Sequence, residues 1–135
     1  METIDVRTGA RCQMVDVTAD VQRVVSASGL KDGYVLCFVP HTTAGITIQE
    51  NADPDVQHDV LWKLDQLVPR EESGYRHSEG NSDGHIKSSM MGVSTLVPVD
   101  AGRLVLGTWQ AIYFCEFDGP RSRRLLVKCV NAVDV

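Results

Sequence analysis

The chain has 135 residues, 43% of them hydrophobic and 23% charged, with a formal net charge of -5. A chain of this size buries a core as one domain, and its balance excludes the polar composition of a disordered polypeptide. The acidic residues are spread along the chain and leave no basic stripe to follow a phosphate backbone, so nucleic acid is not an expected partner.

The opening METIDVRTGARCQ lacks the apolar stretch of a signal peptide, and no run is long enough to span a bilayer. No membrane partner is expected, and the expected location is cytoplasmic. Cys12, Cys37, Cys115 and Cys129 stand alone, without C-x-x-C spacing. They read as buried strand thiols, with a disulfide as the minority reading in a reducing compartment.

Thr3 to Arg7 and Cys12 to Val17 alternate apolar and polar residues around Thr8-Gly9-Ala10, which predicts a hairpin. Thr18 then caps a short helix with Val21, Val24 and Val25 on one face, ended by Ser28-Gly29. Tyr34 to Val39 is a continuous apolar run, read as a central strand buried on both faces. Gly45 to Gln49 is a further strand. Asp53-Pro54 starts an amphipathic helix that carries Val56, Val60, Leu61, Leu64, Leu67 and Val68 and stops before Pro69.

Arg70 to Asp83 has no hydrophobic period and reads as a long irregular loop, which in a small domain is usually functional or mobile. His85 to Met91 suits a short helix ended by Gly92. Ser94 to Val99, Arg103 to Leu106, Ala111 to Phe117 and Leu125 to Val133 read as strands, with hairpin turns at Asp100-Ala101-Gly102 and Asp118-Gly119-Pro120. The expected fold is α+β: one domain over residues 1–135, mostly antiparallel sheet with a few covering helices.

Polar residues concentrate at the strand ends, where a rigid sheet presents side chains to a ligand. His41 follows an apolar strand, and Thr42, Thr43 and Gly45 can surround a small anion. An ordinary strand-end turn explains His41 equally well. His77 and His85 flank Asn81, with Glu79 beside them, a ligand set suited to zinc, although their spacing fits no standard motif and a solvated loop is slightly favoured. His58 reads as exposed.

Lys87 and Arg121 are the nearest cations, and the turn before Arg121 fixes its direction toward a phosphate or carboxylate. For Arg123 and Arg124 a surface ion pair is the better reading. Glu116 and Asp118 fall on one face if their strand continues, where two carboxylates can hold a metal or share a proton. Trp109 reads as a core residue, with stacking on a substrate ring as the minority reading.

Together, HTTAGITIQENADPDV, YRHSEGNSDGHIKSSMMG and GRLVLGTWQAIYFCEFDGPRSRR resemble the YjbQ-like family, from about Val35 to the last strand. Ser94, Gly102 and Gly107-Thr108-Trp109-Gln110 match its signature. The resemblance implies a trimeric α+β protein with a weak, secondary thiamine-phosphate synthase activity. It implies catalytic roles for His41, Glu50, His77, His85 and Glu116. Substrate or phosphate contacts fall to Thr42, Thr43, Asn51, Asn81, Lys87, Asp118 and Arg121. A divalent metal, zinc or magnesium, would be held by His41, His77 and His85 and would help a pyrophosphate depart. The expected partners are two further copies of the chain and a small phosphorylated molecule or anion. The alternative is a metal- or anion-binding trimeric module without efficient turnover.

Overall fold

The computed structural model describes residues 1–132. Its strands are β1 (Glu2–Arg7), β2 (Gln13–Asp16), β3 (Asp32–Phe38), β4 (Ala44–Glu50), β5 (Ser94–Asp100), β6 (Arg103–Leu104), β7 (Gln110–Glu116) and β8 (Ser122–Asn131). Its helices are α1 (Thr18–Ser28), α2 (Pro54–Leu67) and α3 (Ser82–Met91). The strands form two antiparallel sheets, in the orders β1-β8-β3-β5-β6 and β2-β7-β4. The α+β expectation therefore holds, with two sheets in place of one.

One core fills the space between the sheets. Val6, Val35, Val97 and Leu125 of the larger sheet meet Ile46, Ile112 and Phe114 of the smaller, and α1 adds Val21 and Val25. A second cluster lies on the other side of β7, where Ala111, Tyr113 and Cys115 pack with Leu61 and Leu64 of α2 and Met91 of α3. The strand buried on both faces is thus β7. β3, expected in that role, is central in its sheet but alternates. Val35 and Cys37 face inward, while Tyr34 and Phe38 are 40% and 41% exposed. A continuous apolar run does not say whether a second layer covers its outer face.

Two expected hairpins are absent. β1 pairs with β8 and β2 with β7, so the segment between β1 and β2 crosses from one sheet to the other. The segment between β7 and β8 makes the return crossing. The crossings bind each other: Thr8 N–H donates to the Arg121 carbonyl at 2.9 Å, and Gly119 N–H to the Arg11 carbonyl at 3.0 Å. A Cβ at Gly119 would stand 2.3 Å from the Ala10 carbonyl oxygen, so no other residue fits this approach. The Asp100-Ala101-Gly102 turn does form the expected hairpin, between β5 and β6.

Several boundaries also move. Thr18 is the first residue of α1 and not its cap; its Oγ1 accepts from Ile112 N–H, and Asp16 accepts from Thr18 N–H. α2 starts as expected, with Asp53 Oδ1 accepting from Asp55 N–H at 2.9 Å. α3 begins at Ser82, three residues before His85. The last strand runs over Ser122–Asn131, and Val133 lies outside the described residues. Trp109 is 62% exposed, not in the core. It sits on a turn in which Gly107 N–H donates to Gln110 Oε1, and its carbonyl accepts from Asn51 N–H. Cys37 and Cys115 are buried strand thiols pushed up to about 12 by burial, whereas Cys12 lies just outside β2. All four cysteines are free.

α3 carries His85 and rests directly on β4. Ser88 Oγ donates to the Ala44 carbonyl at 2.6 Å, and Ile46 N–H donates to the Gly92 carbonyl. The contact is possible because residue 45 is glycine: a Cβ there would meet the Gly92 oxygen at 2.7 Å and the Met91 side chain at 3.2 Å. Gly45→Ala is expected to lower stability by about 1–3 kcal/mol, the usual cost of overpacking. Urea unfolding of the variant checks this, and an unchanged midpoint would mean that α3 seats loosely.

Candidate functional site

β7 ends on Glu116, which has no exposed surface. Arg123 Nε donates to its Oε1 at 2.8 Å and Arg123 Nη2 to its Oε2. Thr8 Oγ1 donates to Oε1 at 2.7 Å, and the N–H groups of Phe117 and Asp118 donate to Oε2. Burial alone would push this carboxyl up, but Arg123, Thr8 and the Asp118 N–H outweigh it and hold it below the usual range. Arg123 is therefore a buried partner and not a surface cation. It shares the inward face of β8 with Leu125 and Val127. The period of two could have identified it.

Asp118 is bound by Asn81 Nδ2 at 2.9 Å and by Arg121 Nη2 at 3.0 Å, with Arg11 Nη1 at 3.6 Å. Burial raises its carboxyl too, and Asn81, Arg121 and Arg11 more than reverse that. The two carboxylates thus have separate positive partners, which does not favour a shared proton. Arg11 reaches on to Asp83 at 3.0 Å. Asp83 lies 3.5 Å from Lys87, which is 1% exposed and also bonds Asp65. Burial would push the Lys87 ammonium down, but these acids hold it above its usual value. Arg11, Asp65 and Asp83 were not expected here: Arg11 and Asp65 lie outside the motif segments, and Asp83, although inside YRHSEGNSDGHIKSSMMG, reads in the sequence as the end of a loop.

These groups hold one another. Lys87 and Glu116 do not reach solvent, Thr43 Oγ1 accepts from Arg123, and Arg121 Nε donates to the Asp118 carbonyl. The network joins the two crossings, the end of β7 and α3.

The three histidines lie above it. A cavity of about 660 Å³ is lined by Phe38, His41, Thr42, His85, Ser88 and Gly92 among others. A neighbouring cavity of about 410 Å³ is lined by Tyr75, Arg76, His77, Ser82, His85 and Ile86. His85 lines both. Its ring centroid is 5.2 Å from that of His77, with the planes nearly perpendicular. His77 Nε2 is 3.9 Å from Glu79 Oε2. His41 Nε2 accepts from Arg124 N–H at 3.0 Å. Burial, then the charges of Arg123 and Arg124, push His41 below the ordinary histidine value. Its ring is neutral at pH 7, with its proton on Nδ1. Among the described residues, no three His, Cys, Asp or Glu side chains form a ready metal-ligand set.

Glu50 and Asn51 do not join this site within one chain. β4 starts beside Thr43 and ends at Glu50, six steps of about 3.3 Å away. There the Glu50 carbonyl accepts from Gln57 and Tyr113 Oη, and Asn51 N–H donates to Trp109. His58, on α2, is exposed as expected.

A family model described as UPF0047 protein YjbQ-like matches residues 2–132. The chain belongs to this family. The UPF0047 protein YugU of Bacillus subtilis is 50% identical over 131 residues, covering 97% of this chain and 99% of that one. The UPF0047 protein MJ1081 of Methanocaldococcus jannaschii is 49% identical, covering 93% and 91%. A crystal structure of an uncharacterized YjbQ/UPF0047 protein from Clostridium acetobutylicum matches with a TM-score of 0.94 and 49% identity, covering 96% of this chain and all of that one. These YjbQ-like relatives share the whole fold, and their names assign no activity.

The ion pair at the base of the site gives a test. A carboxyl held below its unfolded value, about 4.3 for glutamate, stabilises the fold above that value. The contribution is lost as pH falls through the folded value. Glu116→Gln should cost roughly 3–5 kcal/mol at neutral pH, because Arg123 is left buried without its partner. It should also flatten the acid limb of stability, measured as urea midpoint against pH. An acid limb as steep as that of the parent would assign the pH dependence to other carboxylates.

Proposed function

We propose that this YjbQ-like chain works at the cleft where His85 stands between His41 and His77, and that it binds a small phosphorylated molecule there. The observation that carries the reading is His85 itself, whose side chain lines both cavities while its backbone N–H holds it to the Asn81 carbonyl of the buried network. A cavity of about 660 Å³ is ample for a ring with a phosphorylated arm. Neutral His41, with Nε2 engaged by the Arg124 N–H, has its Nδ1–H left to donate a hydrogen bond to a ligand.

The perpendicular His77 and His85 rings fit two imidazole ligands of a divalent metal of the zinc type. Such a metal would neutralise phosphate charge. The remaining positions would be filled by water, substrate or a group from another subunit. The finer reading is a weak transferase activity that forms thiamine phosphate from a pyrimidine diphosphate and a thiazole phosphate. It rests on the family resemblance, and the cleft supports it only through its size and imidazoles. Binding without efficient turnover needs the same residues and is the second reading.

We also propose a homotrimer. The outer face of the larger sheet exposes Tyr34, Phe38 and Leu96, and the register sets Leu36 opposite Leu96 and Phe38 opposite Leu126. A contiguous apolar surface of this kind favours a partner. A cyclic assembly closes only by repeating one contact.

Zinc titrated calorimetrically into metal-free protein should bind, and His85→Ala should lose at least the 10–100-fold that even an outer-shell change costs. Parent and variant binding alike would remove the metal from this reading. Release of pyrophosphate from the two thiamine precursors would favour the transferase over the binding module. Light scattering should give about three times the 14.8 kDa chain mass; a monomer at micromolar concentration would end the trimer proposal.

A further inference from the structure

We infer that the phosphate end of the ligand binds on the outer face of the larger sheet, in a pocket that Arg7, Ser122 and Arg124 form behind His41. The inference rests on the reading of the histidine cleft as the working site and adds where the anion sits. It replaces Lys87 and Arg121 as the phosphate-binding cations.

The strand period builds the pocket. Val6 and Arg123 point inward, so their neighbours Arg7, Ser122 and Arg124 point outward. β1 and β8 pair with Arg7 opposite Ser122 and Asp5 opposite Arg124, which sets the two guanidinium-bearing positions as diagonal neighbours on one face, within reach of long side chains. Together with His41 they line a pocket of about 460 Å³.

The ion pairs decide which cations are free. Arg11, Lys87, Arg121 and Arg123 each engage an aspartate or glutamate. Among the described residues, Arg7 and Arg124 have no carboxylate within ion-pair distance. An arginine whose donors are unspent and exposed is suited to bidentate recognition of phosphate.

His41 connects this pocket to the cleft. It lines both cavities, and its Nε2 holds the backbone of Arg124. A ligand with its phosphate on Arg7 and Arg124 could pass across His41 and lay its body between Phe38 and His85. The chemical class is a phosphate monoester or diphosphate attached to a ring or apolar body. Asp5 stands in the same wall and opposes the anion. Its carboxylate should weaken binding, which gives a variant of opposite sign.

The probe is inorganic pyrophosphate, titrated by calorimetry in the presence of a chelator so that no metal contributes. Arg7→Ala and Arg124→Ala should each weaken binding about tenfold, the loss of one charge-assisted hydrogen bond. Asp5→Asn should tighten it. Arg23→Ala removes an equal charge from α1, where Arg23 pairs with Asp20, and should leave the affinity as it was. Equal affinity in all variants, a loss confined to Arg121→Ala, or the same loss in Arg23→Ala would each overturn the inference. His85→Ala should retain pyrophosphate while losing zinc, so failure of the anion site and failure of the histidine reading give different results.

Discussion

The ion pair between Glu116 and Arg123 is the contact on which the rest of the structure depends. Two unit charges removed from water are costly, and they are tolerated here because every oxygen of Glu116 is filled: by Arg123, by Thr8 and by two backbone N–H groups. Those partners come from β8, from the first crossing between sheets and from the start of the second. One carboxylate at the end of β7 in the smaller sheet is therefore tied to β8 and to the first crossing, which belong with the larger sheet. The neighbouring chain of Asp118, Arg11, Asp83 and Lys87 extends the tie to α3, and with it to His85.

This arrangement separates support from chemistry. The charged residues that look most reactive in the sequence are the most thoroughly satisfied in the fold. The histidines sit one layer out, where cavities reach solvent. Lys87 illustrates the division. On helix α3 it is only two residues from His85, yet it points into the acids beneath while His85 faces the clefts.

Much of the fold was legible because local rules were strong. Asp53-Pro54 wrote the start of α2, and alternation marked most strands. The pairing of β1 with β8 was not legible. Neighbouring strands separated by a glycine-containing segment look like a hairpin, and only their pairing with β8 and β7 shows that the chain crosses between sheets. For the site, the clustering of His41, Thr42 and His85 followed from their strand-end and helix positions, while the role of Arg123 was hidden by its run of neighbouring arginines. Glu50 and Asn51 carried the right chemistry at the wrong end of a strand, a distance that motif spacing does not encode. Trp109 was misplaced because a large indole usually packs inside; here backbone bonds fix a turn that holds it outward.

The pairing of β1 with β8 also bears on how the chain is made. Glu2–Arg7 leaves the ribosome long before its partner Ser122–Asn131. β8 is also the neighbour of β3 on its other side. Until it emerges, the larger sheet lacks the strand that joins β1 to the rest, and Glu116 lacks its arginine. β1 must therefore wait until β8 has emerged before the larger sheet can close.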